Sequence, residues 1–256
     1  MNIKPVLRYQ LRAYFSIFSK VYGVVYFLTI TAIILRYTYR SDGSASCTEF
    51  TTMVAIFIIG LVLFKSSFRF FSSYGVSRKR LFCGLTATLG VTAAATSALD
   101  MVNAAVFSHF LPYYTIYTGL SQNGPESGSG GLLLGKFQLP YHGIAASLLL
   151  KNWLWCLLAD FAFGMLGFLI AALYYRMGKT LKICVSIGVP AAIIALIQLD
   201  QNVMWGRISA AFLNFCEHWI YWGMHPGLDL VTRLVPIAIF TGCVWLLLRK
   251  ADVQAA

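Results

Sequence analysis

Two carboxylates, Asp100 and Asp160, lie inside long apolar segments of this chain, where a charged group demands an explanation. An ionisable side chain within a membrane helix usually belongs to a proton or ion pathway, or it is neutralised by polar neighbours. Ser97 and Asn103 stand one helical turn to either side of Asp100 and are available to hydrogen-bond it. The spacing favours a structural role for Asp100, with a proton relay as the alternative.

A second motif, residues 178–180 (Gly-Lys-Thr), is similar to the end of a nucleotide-binding P-loop. A P-loop needs a glycine five residues before Gly178 so that backbone amides can surround the phosphates, and Leu173 stands there instead. We therefore expect no ATP site on this chain. No paired-acid or nucleophile signature appears elsewhere, so the sequence does not predict an enzyme.

The cysteines show no Cys-x-x-Cys spacing, so we predict neither a metal site nor a bound cofactor. There are six: Cys47, Cys83, Cys156, Cys184, Cys216 and Cys243. Cys47 and Cys216 both fall on the predicted outer side, where a disulfide is allowed, but nothing in the sequence brings their two loops together.

The composition is that of a membrane protein. Hydrophobic residues make up 59% of the 256 residues and charged residues only 11%, and the mean hydropathy is +0.72. The net charge of +11 does not indicate nucleic acid, because the cations lie between the apolar runs rather than along one face. The partner that this pattern predicts is the membrane lipid.

The apolar runs predict an all-α, polytopic fold with six transmembrane helices in a single domain of residues 1–256. The expected spans are residues 21–35, 51–71, 81–110, 144–175, 183–199 and 228–248. Residues 1–20 carry cations four apart beside an apolar stripe, which predicts an amphipathic N-terminal elbow helix in the inner headgroup layer. The alternative is the cytoplasmic foot of the first span.

Charge fixes the expected orientation. Arg78, Lys79 and Arg80 crowd into a short loop, residues 72–82, and short basic loops stay on the cytoplasmic side during insertion. With that loop inside, twelve cations fall on inner segments and five on outer ones, and both termini are cytoplasmic. Residues 112–143, rich in Pro, Gly and Ser, then form an external loop.

Residues 200–227 contain an aromatic face. Its members are separated by four, three, four and three residues, which is helical spacing, and they are Ile208, Phe212, Phe215, Trp219 and Trp222. The segment is too polar to cross a membrane, so we expect an outer re-entrant helix before the last span.

This layout resembles the permease subunits of bacterial type-2 ABC exporters. The resemblance rests on the six spans, the elbow, the compact Gly-Val-Ser-Arg-Lys-Arg turn and the aromatic outer helix. It implies that a separate ATPase subunit, carrying ATP and Mg²⁺, docks on a coupling segment made of Gly75, Val76, Ser77, Arg78, Lys79, Arg80 and Leu81. It also implies a second permease copy, identical or related, an outer helical cap at residues 208–222, and a bacterial cell membrane.

The few charges in the spans and the aromatic cap favour a hydrophobic or amphipathic cargo. A peptide, such as a toxin or antimicrobial peptide, ranks first, and a lipid or drug second. Two other classes stay open. A proton-coupled secondary carrier would use Asp100 or Asp160, and a non-transporting membrane scaffold would need neither the carboxylates nor an ATPase.

Overall fold

The structure, a computed structural model, describes residues 4–39, 45–46, 48–107, 113–114, 146–202, 211 and 229–249. Within them the chain forms α1 (Lys4–Tyr39), β1 (Ala45–Ser46), α2 (Thr48–Ser73), α3 (Arg78–Phe107), β2 (Tyr113–Tyr114), α4 (Ala146–Arg176), α5 (Lys179–Asn202) and α6 (Asp229–Arg249). The two short strands pair in parallel. Apart from this pair and the turns, the described part is helical, which confirms the all-α expectation.

Among the residues that the structure describes, five helices are long and apolar enough to cross a membrane. The stretches are Leu7–Leu35, Glu49–Phe68, Arg78–Phe107, Leu150–Arg176 and Thr180–Leu199. A helix suits this environment because it satisfies its backbone polar groups internally. The chain is therefore a multi-pass membrane protein by length and composition. The sixth predicted span coincides with α6, which is helical over 21 residues. Helix α6 is not among these five stretches. Six membrane crossings and cytoplasmic termini therefore stay predictions.

Helix α1 runs without interruption for 36 residues, through residue 20, where the sequence suggested a boundary. Its buried face consists of side chains four residues apart, Gln10, Tyr14, Phe18 and Tyr22. Since residues four apart share one helix face, this stripe packs against the bundle from the first turns onward. The continuous helix matches the alternative of a foot of the first span; placement in the headgroup layer stays a prediction.

Helices α2 and α4 pack backbone against backbone. A Cβ atom added to Gly60 would lie 2.9 Å from the carbonyl oxygen of Gly164, and one added to Gly167 would lie 2.5 Å from that of Phe57. Only glycine permits this approach, and in lipid such close packing is what drives helices together. Next to it, the rings of Phe68 and Tyr175 meet edge to face at 4.9 Å.

Helix α5 stands beside this bundle. None of its described side chains is buried, although its stretch Thr180–Leu199 is as apolar as that of α4, with a mean hydropathy of 2.2 in each. A hydrogen bond between the hydroxyls of Tyr174 and Ser186, 3.2 Å apart, links it to α4. An apolar helix surface of this kind is suited to lipid or to another protein chain.

Candidate functional site

Three carboxyl side chains come together inside the helical bundle. Glu49 of α2, Asp100 of α3 and Asp160 of α4 are each only 1% exposed, and we call them the carboxyl cluster. The sequence predicted Asp100 and Asp160 to lie within spans, and the structure adds Glu49. Carboxylates are among the groups least often buried without a partner, so the surroundings of each decide what it can do.

Asp100 receives its hydrogen bonds from other helices. The hydroxyl of Tyr22 on α1 lies 2.9 Å from its Oδ1 atom, and that of Thr52 on α2 lies 3.2 Å from the same atom. The expectation that Ser97 and Asn103 satisfy this carboxyl was wrong. The Ser97 hydroxyl donates to a carbonyl of its own helix, as serine commonly does in a helix, and Asn103 Oδ1 accepts from a tyrosine of α1.

Asp160 is connected to Asp100 through Thr96. The Thr96 hydroxyl lies 3.1 Å from Asp160 Oδ2, and the Thr96 carbonyl oxygen lies 3.2 Å from the Tyr22 hydroxyl that also serves Asp100. The two carboxyls are close enough to interact electrostatically. Among the described residues, Asp100 Oδ2 and Asp160 Oδ1 have no hydrogen-bond partner. The pair therefore has fewer donors than acceptor oxygens.

Glu49 is the member that the sequence reasoning missed. The predicted second span begins at residue 51 and leaves Glu49 outside it, whereas the structure makes Glu49 the second residue of α2. The Asn152 amide donates to Glu49 Oε1 at 2.8 Å, and the Cys156 thiol lies 3.8 Å from Asn152 Oδ1. The available signal was an acid directly before an apolar run, because a carboxylate is favoured in the first turn of a helix.

The cluster lies at one end of a buried polar stripe on α3. Thr88, Thr92, Thr96 and Asp100 follow one another at intervals of four residues, and all four are buried. Thr88 also donates to Gln10 Oε1 on α1 at 2.8 Å. At a rise of about 1.5 Å per residue the stripe extends for roughly 18 Å. The hydroxyls of Thr88, Thr92 and Thr96 also donate to carbonyls of α3 itself, so the acids at the end of the stripe are the groups that could belong to a proton pathway.

Metal binding is a separate question for so many acids. Across the described ranges, no group of three or more His, Cys, Asp or Glu side chains is arranged so that it could hold a metal ion. Divalent cations require several oxygen ligands around one point. The described residues of the cluster therefore provide no three-residue metal centre.

The second region, residues 75–81, joins α2 to α3 and includes the first turn of α3, and we call it the basic turn. The predicted loop of residues 72–82 is therefore helical except at residues 74–77. Gly75 has a φ of 68°, and the Val76 N–H donates to the Phe71 carbonyl at 3.1 Å. This pair of features is a Schellman cap, in which a residue of positive φ closes the helix end and glycine is preferred. Helix α2 therefore ends through a compact, hydrogen-bonded turn.

The cations of the basic turn are exposed, whereas its last residue is not. Arg78, Lys79 and Arg80 form the first turn of α3 and are all exposed, and Leu81 is 1% exposed in the core. The N-terminus of a helix carries a partial positive charge, so three cations there are unfavourable for the helix itself. Arg78 lessens this by donating to the Arg249 carbonyl at the end of α6, at 2.7 Å.

Arg233 is a further charged residue that the sequence reasoning overlooked. It is half-buried on α6, and its guanidinium carbon lies 4.8 Å from the ring centroid of Trp155 on α4. An arginine over the face of a tryptophan is a favourable cation–π arrangement. A cation within an apolar run was the signal for it in the sequence.

Several predicted features lie outside the described residues. They are Cys47 and Cys216, the predicted external loop apart from β2, and the aromatic face of the outer cap, Ile208, Phe212, Phe215, Trp219 and Trp222. They stay predictions.

Comparison with known proteins finds no family model, no curated protein and no solved structure that matches this chain. The functional conclusion therefore rests on the residues of the chain itself.

Proposed function

We propose that this chain is the transmembrane subunit of an ATP-driven exporter of the type-2 ABC kind. The observation that carries the proposal is the basic turn, which exposes three cations where the helix that bears them would favour acids. Such a placement is unfavourable locally, and three adjacent cations on one turn are more than orientation alone demands, given the other basic segments on the predicted inner side. A charged patch on a well-ordered turn is suited to selecting an oppositely charged protein surface.

The turn is also placed to pass on a displacement. It is the direct connection between α2 and α3, and it is anchored in the core by Leu81, with Val76 packed against the same core. Packed helices transmit strain because protein interiors are densely filled. A partner that pushes on the turn during ATP hydrolysis would move the helices that carry Glu49 and Asp100.

The other parts of the proposal follow the resemblance. ATP and Mg²⁺ belong to the partner ATPase, and a second permease copy completes the path in the bacterial cell membrane. The exposed apolar side chains of α5 are compatible with that second copy or with lipid. We propose a hydrophobic or amphipathic peptide as cargo, with a lipid or drug as the next class.

The test is purification of the tagged chain from its native membrane, with measurement of the copurifying ATP hydrolysis. We expect hydrolysis with the wild-type chain and its loss with Lys79→Glu/Arg80→Glu, because reversed charge repels the acidic partner surface. Arg8→Glu/Arg12→Glu, which reverses two exposed cations of α1, is the matched control. A charge-reversed turn that keeps full hydrolysis and export would contradict the proposal.

Cargo is tested in the reconstituted complex by stimulation of ATP hydrolysis. We expect amphipathic peptides to stimulate it more than lipids do, since a peptide offers apolar side chains and polar groups together. Polysaccharide fragments serve as the negative control. Stimulation by the polysaccharide alone would remove the hydrophobic cargo from the proposal.

The carboxyl cluster favours a second candidate, a proton-coupled carrier. Asp100 and Asp160 lie at the end of a buried polar stripe and each has an oxygen without a described partner. In an ATP-driven exporter, Asp100→Asn and Asp160→Asn are expected to keep most export, because the amide oxygen still accepts the same hydrogen bonds. Export that collapses in both variants and follows a proton gradient without ATP would establish the carrier instead.

A further inference from the structure

The three cations of the basic turn do not have the same surroundings. The Arg78 Nη1 atom lies 2.7 Å from the carbonyl oxygen of Arg249, 171 positions further along the chain. The side chains of Lys79 and Arg80 make no hydrogen bond or ion pair with the described residues. Two cations of the turn are therefore available to a partner, while the third already contacts the end of another helix.

The contact satisfies a backbone carbonyl at the end of α6. The last four carbonyls of a helix have no partner inside that helix, and α6 ends at Arg249. A guanidinium at this end satisfies one such carbonyl and also interacts favourably with the negative end of the helix dipole. Moved away from this carbonyl, the Arg78 charge would remain beside the positive end of α3, where it is unfavourable.

Apolar contacts extend the link into the core. The rings of Phe82 on α3 and Trp245 on α6 lie 5.2 Å apart. Leu81, Val244 and Leu248, each 1% exposed, belong to one continuous core. The first turn of α3 and the last two turns of α6 are therefore packed as one unit, with the Arg78 contact at its exposed edge.

We propose that Arg78 is a positioning residue that carries displacement of the basic turn into α6, while Lys79 and Arg80 bind the partner subunit. This division rests on the proposed function. Near its other end, α6 contacts α4 through Arg233 and Trp155, and α4 carries Asp160. A movement of the turn thus reaches Asp160 on α4 through α6. It also reaches Asp100 directly, because α3 carries both the turn's cations and Asp100.

The link itself is tested without any ATPase, by hydrogen exchange of the purified chain in lipid nanodiscs. In Arg78→Gln we expect the amides of residues 245–249 to exchange at least tenfold faster, because the end of α6 loses its cap and frays. Arg80→Gln, two residues further along the same turn, is the control and should leave these exchange rates unchanged. Equal rates in wild type and Arg78→Gln would overturn the link.

The role in coupling is tested with the ATPase present, by measuring binding and cargo-stimulated export separately. Arg78→Gln is expected to bind the ATPase within twofold of wild type and to lose export at least tenfold. Arg78→Lys should recover part of the export, because an ammonium also donates to a carbonyl. Lys79→Glu/Arg80→Glu should instead lose binding.

The outcomes separate the two proposals. If Arg78→Gln loses binding as severely as the charge-reversed pair, Arg78 is a docking cation and the positioning role is overturned, while the exporter stands. If the wild-type chain binds no ATPase, the exporter and the coupling role both fail, and the exchange rates still decide whether Arg78 holds the end of α6.

Discussion

The basic turn and the carboxyl cluster place charge in opposite ways. The turn exposes three cations on one short segment, whereas the cluster buries three acids from three different helices. The backbone hydrogen bonds and the glycine cap that shape the turn all lie within residues 71–81. The cluster exists only when α1, α2, α3 and α4 are packed together.

This difference teaches where each region is sensitive. The partner binding proposed for the turn should be insensitive to substitutions elsewhere in the bundle and sensitive to changes in the turn's own charges. A cluster assembled between helices fails when any helix contact changes, because buried polar groups that lose their partners are costly. The substitutions below, in order of expected effect on stability, test that distinction.

The largest effect is expected from Gly167→Leu. A side chain at this position would meet the Phe57 carbonyl of α2, from which even a Cβ is only 2.5 Å away. Forcing α2 and α4 apart should cost about 3 kcal/mol and lower Tm by roughly 10 °C. The control is Gly188→Leu on α5, where a Cβ would meet nothing within 4 Å. Similar melting of both variants would show that the contact does not hold the bundle together.

A smaller loss is expected from Tyr22→Phe. It removes the hydroxyl that lies 2.9 Å from Asp100 Oδ1 and leaves this buried carboxyl with the Thr52 hydroxyl as its one remaining donor among the described residues, at a cost of about 2 kcal/mol. Tyr174→Phe removes a hydroxyl from an exposed hydrogen bond and should cost under about 0.5 kcal/mol. Thermal unfolding in the same detergent compares them. A Tyr22→Phe protein as stable as the control would remove Tyr22 from the cluster.

Asn152→Leu should have a moderate effect. The amide donates to Glu49 Oε1 at 2.8 Å, and its loss should cost about 1 kcal/mol. Lys151→Leu, at the adjacent exposed position, changes no such bond and should leave the unfolding temperature within about 1 °C. If the two substitutions are equivalent, Glu49 does not depend on Asn152.

The smallest effect, and of opposite sign, is expected from Lys79→Glu. An acid in the first turn of α3 interacts favourably with the helix dipole, so stability should rise by about a few tenths of a kcal/mol at low salt. The same substitution should weaken ATPase binding. A fall in stability would show that Lys79 supports the fold, and the turn would then no longer be a purely functional surface.

The helices themselves were largely predictable. Apart from the start of α1, which begins at Lys4 rather than at residue 21, apolar runs predicted the ends of the long helices to within four residues, because a membrane helix needs a minimum length of apolar sequence. The run from residue 81 became α3, and residues 51–71 became most of α2. At the start of α2 even a small difference mattered, because it decided whether Glu49 lay before the helix or in its buried first turn.

Hydropathy could not show which helix faces are buried. Helices α4 and α5 have equally apolar spans, yet α4 packs in the centre and no described side chain of α5 is buried. Lipid tails are as apolar as leucine, so lipid-facing and protein-facing surfaces have similar compositions. The packing of α4 follows instead from Gly60, Gly164 and Gly167, whose pairing across two helices is invisible in a single sequence.

The sequence by itself determined that this is a helical membrane protein, where most of its long helices lie, and that three cations share the short segment between two apolar runs. These properties depend on composition and on residues close together in the chain. Only the tertiary structure decided that Tyr22 and Thr52 hold Asp100, that Glu49 joins the cluster, and that Arg78 contacts the end of α6. Those contacts join residues 48 to 171 positions apart, and such distant pairs are set by how helices pack.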